Sequence, residues 1–142
     1  MQMSLIVGNN PLEIRTITQD DLNAVLAVYQ QYEDFLALGP MPTASLEMVL
    51  KDIEISQGQG GLYCGIYTAD RKMIGIVDYI PHNFAGESQF AFLSLLMIAA
   101  PFRNQGIGQA VVKAIEGEIR KDAQVKAILS GVQVNNAQAI QF

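Results

Sequence analysis

The chain has 142 residues, of which half are apolar and 16% are charged. This composition is typical of one globular domain and excludes an intrinsically disordered chain. Nine Lys and Arg residues against fourteen Asp and Glu residues give a formal net charge of −5, which argues against a general nucleic-acid binder.

The single cysteine and the length of the apolar runs indicate the cellular compartment in which the protein works. Cys64 has no second cysteine with which to pair, as expected of a protein in the reducing cytoplasm. It lies in the apolar-aromatic run LYCGIY, so we expect a buried structural thiol rather than a catalytic one. The longest apolar run, FAFLSLLMIAAPF, is too short to span a bilayer as a helix. We therefore expect a cytoplasmic protein without a membrane partner.

The first half of the chain predicts a strand followed by two helices. Residues 12–17 (LEIRTI) alternate between apolar and polar types, as in a half-buried strand. Thr18 is placed to cap a helix, with Asp21 three residues later. Apolar residues then recur at helical spacing on both sides of a proline-containing break at 39–43. They are Leu22, Val25, Leu26 and Tyr29 in the first helix, and Leu46, Val49, Leu50 and Ile53 in the second.

The second half predicts a sheet with one helix inserted. Residues 61–68 and 72–80 are strand-like and are separated by ADR, which favours a hairpin. Residues 88–100 are apolar on both faces, as in a central strand covered on both sides. A helix with Val111, Val112, Ile115 and Ile119 inward follows, then a strand at 126–133 and the opening of a helix at 135–142. The predicted class is α/β (α+β), in the order β-α-α-β-β-β-α-β-α.

The turn PFRNQGIGQA, residues 101–110, separates the long apolar strand from the helix that follows it. A glycine-bearing turn at a helix N-terminus presents unpaired amide N–H groups and partial positive charge to an anion. Gly106 and Gly108 lack a Cβ, and Asn104 tolerates the left-handed conformation that a nest of amides requires. Arg103 adds a fixed charge. The alternative is an ordinary strand-to-helix turn in which the glycines serve only the geometry.

Two nucleotide-binding motifs do not match this turn. A phosphate-binding loop of the ATPase kind requires a lysine and a hydroxyl after its last glycine, whereas Gln109 and Ala110 follow here. The dinucleotide fingerprint requires a third glycine and an acidic residue about 20 positions later. Val111 stands at the third glycine position, and the segment AILSG has no acid.

The pattern R-x-x-G-x-G, from Arg103 to Gly108, resembles the acetyl-CoA pyrophosphate loop of the GNAT superfamily of N-acetyltransferases. The segment from Asn136 to Phe142 is similar to the start of the family's N-x-x-A-x-x-[FL]-Y helix. The resemblance implies a mostly antiparallel central sheet flanked by helices, forming a single acetyltransferase domain over residues 1–142. The family's tyrosine and later strands would follow Phe142, so we expect that the sequence stops before the end of the domain; a shortened family member is the alternative.

The resemblance also implies the binding site for the cosubstrate acetyl-CoA, which would lie where strand 88–100 separates from strand 126–133. Backbone groups of three strand residues would pair with the pantetheine arm, the turn would hold the pyrophosphate, and one residue would approach the pantetheine from the far side. No metal is implied. The strand residues at the pantetheine arm would be Met97, Ile98 and Ala99, and the residue on the far side of the pantetheine would be Asn136. The turn residues at the pyrophosphate would be Arg103, Asn104, Gln105, Gly106, Ile107, Gly108 and Gln109.

The catalytic groups are less clearly implied, because family members often carry a carboxylate on the strand that here reads SQFAFLSLLMI. Ser94 shares strand parity with Leu96 and Ile98, so it is a candidate for positioning a water in the cleft; a hydroxyl bonded to backbone inside the core is the alternative. Asp78 is a candidate for relaying a proton through water, with a solvent-facing edge charge as the alternative.

Three functions follow from these patterns. The first is an N-acetyltransferase that moves an acetyl group directly from acetyl-CoA to a primary amine of a small molecule or protein. The second is a CoA-binding regulatory module without catalysis, and the third is a structural or interaction domain that binds no CoA. Family members often form homodimers, so a homodimer is a further expectation.

Overall fold

The computed structural model describes residues 1–31 and 44–130. These residues form six strands, three α-helices and two short 3-10 helices. The strands are β1 Gln2–Val7, β2 Asn10–Thr16, β3 Leu62–Thr68, β4 Met73–Ile80, β5 Phe90–Ile98 and β6 Ala127–Ser130. The helices are α1 Leu22–Gln30, α2 Leu46–Gly58 and α3 Ile107–Ile119, with 3-10 turns at Gln19–Asp21 and Ala100–Phe102.

The six strands form one sheet in the order β1-β2-β3-β4-β5-β6. All neighbouring pairs are antiparallel except β5 and β6, which are parallel because α3 lies between them in the chain. Side chains from α1 and α2 pack in one buried cluster on one face of the sheet, and those from α3 pack in a second cluster on the other face. The predicted class, a mixed and mostly antiparallel sheet flanked by helices, is confirmed.

Local capping explains where α1 and α2 begin. The Asp21 carboxylate accepts hydrogen bonds from the Thr18 backbone N–H at 2.7 Å and from the Thr18 hydroxyl at 3.0 Å, which fixes the turn before α1. The same carboxylate pairs with Arg15 on β2, with 3.1 Å between Nη1 and Oδ2. Ser45 caps α2 by accepting the Met48 backbone N–H at 3.2 Å.

The predicted central strand and the predicted role of the cysteine are confirmed. β4 is buried along its whole length, and β5 has buried side chains in both clusters. Cys64 is fully buried on β3, and its burial raises the pKa of the thiol to about 12. A buried thiol that remains protonated packs as a small apolar group.

At the ends of the sheet, one strand was not predicted and another is described only in part. β1 was not expected; its side chains alternate between exposed and half-buried, so the segment carries a weak apolar signal and is held by pairing with β2. β6 is described only to Ser130, so the rest of the strand predicted at 126–133 and the helix predicted at 135–142 lie outside the described residues. None of the helices in the described ranges is long and apolar enough to cross a membrane.

Tyr79 on β4 gives a test of the core. Its side chain is fully buried, and its hydroxyl has no hydrogen-bond partner within the described residues. Because an unsatisfied buried hydroxyl costs free energy, Tyr79→Phe is expected to raise the free energy of unfolding by about 1 kcal/mol. Urea unfolding of both proteins measures this difference. A variant less stable than the parent would show that the hydroxyl has a stabilising partner.

Candidate functional site

The turn between β5 and α3 has the geometry of an anion-binding nest. Asn104 and Gly106 both have positive φ, of 62° and 79°, so the left-handed conformation expected of Asn104 is confirmed. Gly106 is the N-cap of α3, and no side chain in the described ranges caps this helix end. The first-turn amides of Ile107, Gly108 and Gln109 therefore meet the positive end of the helix dipole at one surface.

Gly106 and Gly108 serve this turn in different ways. A Cβ on Gly106 would meet nothing within 4 Å, so its backbone faces open space, and its positive φ is what favours glycine there. A Cβ on Gly108 would lie 3.8 Å from Leu96 Cδ2 and 4.0 Å from Ile98 Cγ1. The N-terminus of α3 thus lies directly against the C-terminal end of β5.

Arg103 has structural contacts that the sequence did not predict. Its Nε donates to the Ile98 carbonyl oxygen at 2.9 Å, and its Nη2 donates to the Gln31 carbonyl oxygen at 3.2 Å. The Gln31 side chain in turn accepts the Ala100 backbone N–H at 2.6 Å. Arg103 therefore ties the turn to the end of α1, and binding of pyrophosphate by this side chain stays a prediction.

Met97, Ile98 and Ala99 extend past the described pairing between β5 and β6. That pairing runs from Phe90–Ala127 to Leu93–Ser130. On the other side, Met97 and Ile98 pair with β4, and the Ala99 backbone N–H donates to Ile74 at 2.8 Å. The edge of β5 opposite β4 is thus the side on which the predicted pantetheine contacts would form, with the Ile98 carbonyl already accepting from Arg103.

A β-bulge changes the direction of Ser94. Asp78 pairs with Leu95 and Tyr79 pairs with Leu93, which leaves Ser94 as the extra residue. The expected strand parity with Ile98 is therefore wrong, because a bulge re-aims the side chain. The Ser94 hydroxyl donates to the Asp78 carbonyl oxygen at 3.0 Å, as in the backbone-bonded alternative.

Asp78 is buried, so the alternative of a solvent-facing edge charge is wrong. β4 lies between β3 and β5, and Asp78 is only 7% exposed. Its Oδ1 accepts the Ser56 hydroxyl at 2.6 Å. Burial raises the pKa of the Asp78 carboxyl; hydrogen bonds from Ser56 and Ser94 oppose that rise, and the nearby Asp52 charge adds to it.

Asp52 is a second acid near this site, and the sequence analysis missed it. Its Oδ2 accepts the Tyr29 hydroxyl at 2.7 Å, and the Tyr29 hydroxyl also hydrogen-bonds with that of Tyr63. Burial raises the pKa of the Asp52 carboxyl, partly offset by the Tyr29 hydrogen bond, and it also raises the pKa values of both tyrosines. The available signal was helical spacing, since Asp52 and Ser56 are four residues apart and share a face of α2.

These acids line one cleft between α2 and the sheet, which we call the α2 cleft. Its volume is about 200 Å³. Both polar and apolar side chains surround it, so it has places for charged groups and for a hydrocarbon chain. The lining residues are Asp52, Ile55, Ser56 and Gln59 of α2 and its C-cap, Asp78 and Ile80 of β4, and Ser94 and Leu95 of β5.

The family model of the acetyltransferase (GNAT) family matches residues 23–142. This match covers most of the chain, including both the turn and the α2 cleft. The chain belongs to the GNAT family. The resemblance noted at Arg103–Gly108 is thereby confirmed at the level of the family.

Individual GNAT proteins resemble this chain to different extents. N-alpha-acetyltransferase 60 of Xenopus tropicalis is 33% identical over 67 residues, which cover 46% of this chain and 28% of that protein. The chain therefore matches less than a third of that relative's length. A ribosomal-protein-alanine N-acetyltransferase from Brucella melitensis is 26% identical, with a TM-score of 0.66, covering 89% of this chain and 78% of the other.

A second solved structure shares the fold alone. The spermidine N-acetyltransferase from Vibrio cholerae, solved in complex with CoA and spermine, has a TM-score of 0.67 at 15% identity. The similarity covers 91% of this chain and 75% of that one.

The remaining features of the expected site are Asn136 and the metal-binding groups. Asn136 lies outside the described residues, so its predicted contact with pantetheine stays a prediction. Within the part of the chain that the structure describes, no group of three or more His, Cys, Asp or Glu side chains is arranged to hold a metal ion.

Proposed function

We propose that this GNAT chain is a cytoplasmic N-acetyltransferase that moves an acetyl group directly from acetyl-CoA to a primary amine. The observation that carries the proposal is the uncapped N-terminus of α3, preceded by two left-handed residues and placed against the end of β5. This arrangement suits a pyrophosphate, because converging amides and the helix dipole both favour an anion. The cytoplasmic location rests on the unpaired, buried Cys64.

The names of the relatives support the same reaction class. One relative is an N-alpha-acetyltransferase by its name, one acts on the alanine of a ribosomal protein, and one acts on spermidine. The last of these was solved with CoA. All three are N-acetyltransferases, so we take acetyl transfer to nitrogen as the reaction of this chain as well.

The predicted contacts divide the cosubstrate between two parts of the chain. Residues 103–109 would hold the pyrophosphate, and the backbone of Met97, Ile98 and Ala99 would hold the pantetheine arm along β5. Acetyl-CoA supplies the activated acetyl group. Asp78, buried beside the bulge of β5, is the candidate predicted to relay the amine proton through water.

A CoA-binding module without catalysis is the second candidate. Ser94 favours it, because this predicted catalytic hydroxyl is used in a hydrogen bond to the Asp78 carbonyl oxygen. Such a module would bind acetyl-CoA without releasing CoA thiol when amines are added. Thiol release above the rate of spontaneous hydrolysis with any amine excludes this candidate.

Gln109→Glu tests the anion site at the turn. Gln109 is exposed in the first turn of α3. A carboxylate there complements the helix dipole, so the melting temperature is expected to stay the same or rise. It also repels a pyrophosphate, so calorimetry should give a Kd for acetyl-CoA about tenfold higher, or about 1.4 kcal/mol weaker binding. Arg103→Ala is a poorer probe, because it also removes the structural bonds to Ile98 and Gln31.

Gln19→Glu is the matched control for this experiment. It makes the same change of charge at an exposed position before α1, away from the turn. Its Kd for acetyl-CoA should equal that of the parent chain within about twofold. Equal affinities for Gln109→Glu and the parent would mean that the pyrophosphate does not bind at the start of α3.

A further inference from the structure

The α2 cleft contains two carboxylates and, within the described residues, no cationic partner for either of them. The ion pairs described for this chain involve Glu13, Asp21, Glu116 and Glu118. Asp52 and Asp78 instead accept hydrogen bonds from the neutral hydroxyls of Tyr29 and Ser56. Asp78 is buried and Asp52 is half-buried. A buried carboxylate without a counter-charge is costly, and a cationic ligand offsets that cost.

Asp78 also has acceptor capacity left for a ligand. The side chain is more than nine-tenths buried and lines the cleft. Its Oδ1 accepts the Ser56 hydroxyl, and the Ser94 hydroxyl is close enough to lower the pKa of the carboxyl. Both hydroxyls are neutral, and the two oxygens of an ionised carboxylate accept about four hydrogen bonds. This acid can therefore also accept the N–H groups of an ammonium ion.

The spacing of the two acids limits the size of the ligand. Asp52 and Ser56 lie four residues apart on α2, a rise of about 6 Å, and Ser56 contacts Asp78 directly. The apolar lining formed by Ile55, Ile80 and Leu95 suits a short hydrocarbon chain. The cleft has a volume of about 200 Å³, which suits a ligand the size of a short amine.

We infer that the α2 cleft is the acceptor site and that it takes a short aliphatic diamine, with one ammonium group at Asp52 and the amine to be acetylated at Asp78. This inference rests on the proposed function for the acetyl donor. The cleft is placed for that role, because Leu95 lines it and lies on the same strand as Met97 and Ile98. From Leu95 to Ala99 the chain runs about 13 Å, on the scale of an extended pantetheine arm.

The transfer balances with Asp78 as the proton acceptor. The Asp78 carboxylate takes one proton from the bound ammonium, which leaves a neutral amine. The amine nitrogen then forms a bond to the acetyl carbonyl carbon, and the carbon–sulfur bond breaks. A second proton leaves the nitrogen and ends on the CoA thiolate, while Asp78 returns its proton to solvent. Burial raises the pKa of Asp78, which makes it a stronger base for the first step.

The test compares two amine substrates, butane-1,4-diamine and n-butylamine, by the kcat/KM that each gives at saturating acetyl-CoA. The parent chain is expected to prefer the diamine at least tenfold, because only the diamine has a group for Asp52. Asp52→Asn retains an oxygen for the Tyr29 hydroxyl but loses the charge, so the preference should fall to about one. Asp78→Asn retains an oxygen for Ser56 and should lower kcat about 100-fold for both amines.

A matched control and the pattern of rates separate the failure of the diamine inference from the failure of the proposed acetyltransferase function. Asp70→Asn, in the exposed turn between β3 and β4, removes the same charge and should change neither rate. Equal rates for both amines, or a diamine preference that survives in Asp52→Asn, overturns the inference. Acetylation of peptide N-termini with no turnover of diamines also overturns it, but leaves the proposed function intact.

If the folded chain neither binds acetyl-CoA nor releases thiol, the proposed function fails and calorimetry with butane-1,4-diamine alone decides on the cleft. Binding to the parent chain that is at least tenfold weaker in Asp52→Asn supports a diamine site. Absence of binding, or equal binding by both proteins, rejects it. The melting temperature of each variant shows that it is folded.

Discussion

Gly75→Ala is expected to lower the free energy of unfolding by about 3 kcal/mol, at the upper end of the usual cost of overpacking. Gly75 lies in β4, opposite Ile98 of β5. A Cβ at this position would stand 2.6 Å from the Met97 carbonyl oxygen and 3.1 Å from the Cδ1 atoms of Ile66 and Ile98. The backbone oxygen cannot rotate away as a side chain does, so β4 and β5 would have to separate.

This substitution is also expected to weaken acetyl-CoA binding, because the displaced backbone at Met97 and Ile98 includes the predicted pantetheine contacts. Gly117→Ala is the matched control. It makes the same chemical change in the exposed part of α3, where a Cβ meets nothing within 4 Å. Alanine is the better helix former, so this control should raise the stability by about 0.5–1 kcal/mol.

Urea unfolding of both glycine variants and calorimetry with acetyl-CoA check the prediction. Opposite signs of the two stability changes would show that the contact at Met97, and not the loss of glycine itself, decides the result. A Gly75→Ala protein as stable as the parent would mean that the strands can separate at this point without cost.

Asp78→Asn is expected to stabilise the protein at neutral pH while impairing its reaction. The Asp78 carboxyl has a pKa of about 3.9 in an unfolded chain, and burial raises its pKa in the folded protein. Between these two values the folded state holds more protons than the unfolded state. The free energy of unfolding therefore falls as the pH rises through this window, and the loss persists at neutral pH.

Asparagine does not titrate and keeps an oxygen for the Ser56 hydroxyl, so the variant avoids this loss. We expect its advantage to be negligible below about pH 4, to grow with pH, and to reach about 1–3 kcal/mol at about pH 7. Asp52 titrates in both proteins, so its contribution largely cancels in the difference.

The measurement is urea unfolding of the parent and the variant at intervals from about pH 4 to about pH 8. Asp70→Asn, which removes an exposed charge, should stay within about 0.5 kcal/mol of the parent throughout. A constant difference between Asp78→Asn and the parent across this range would contradict a raised pKa at Asp78. A variant that is more stable but slower would show that the buried acid is kept for function at a cost in stability.

Most of the fold could be predicted from the sequence, because its elements depend on local patterns. The Thr18 and Asp21 pair marks the start of the first helical segment, and the apolar spacing of α3 matches the residues that the structure buries. β1 was missed, because its alternation is weak and its pairing with β2 depends on a partner strand.

The geometry of the turn could also be predicted from the sequence, because the turn is formed by consecutive residues. Gly106 and Asn104 are types that tolerate positive φ, and the structure has both in that conformation. For Arg103, the sequence predicted only a positive charge. Its bonds to the Ile98 and Gln31 carbonyl oxygens join residues up to 72 positions apart, and no local pattern predicts such a contact.

The α2 cleft shows most clearly what the tertiary structure decided. The sequence by itself determined that the chain has an acid in an apolar strand and another in an amphipathic helix, together with a turn suited to an anion. It did not determine that Asp78 is buried or that the bulge in β5 turns the Ser94 side chain toward α2. It also did not determine that Asp52 and Asp78 line one cavity. The physical reason is that helical and strand periodicity act over a few residues, whereas burial and the partners of a carboxylate depend on elements that meet only when the sheet and its helices pack together.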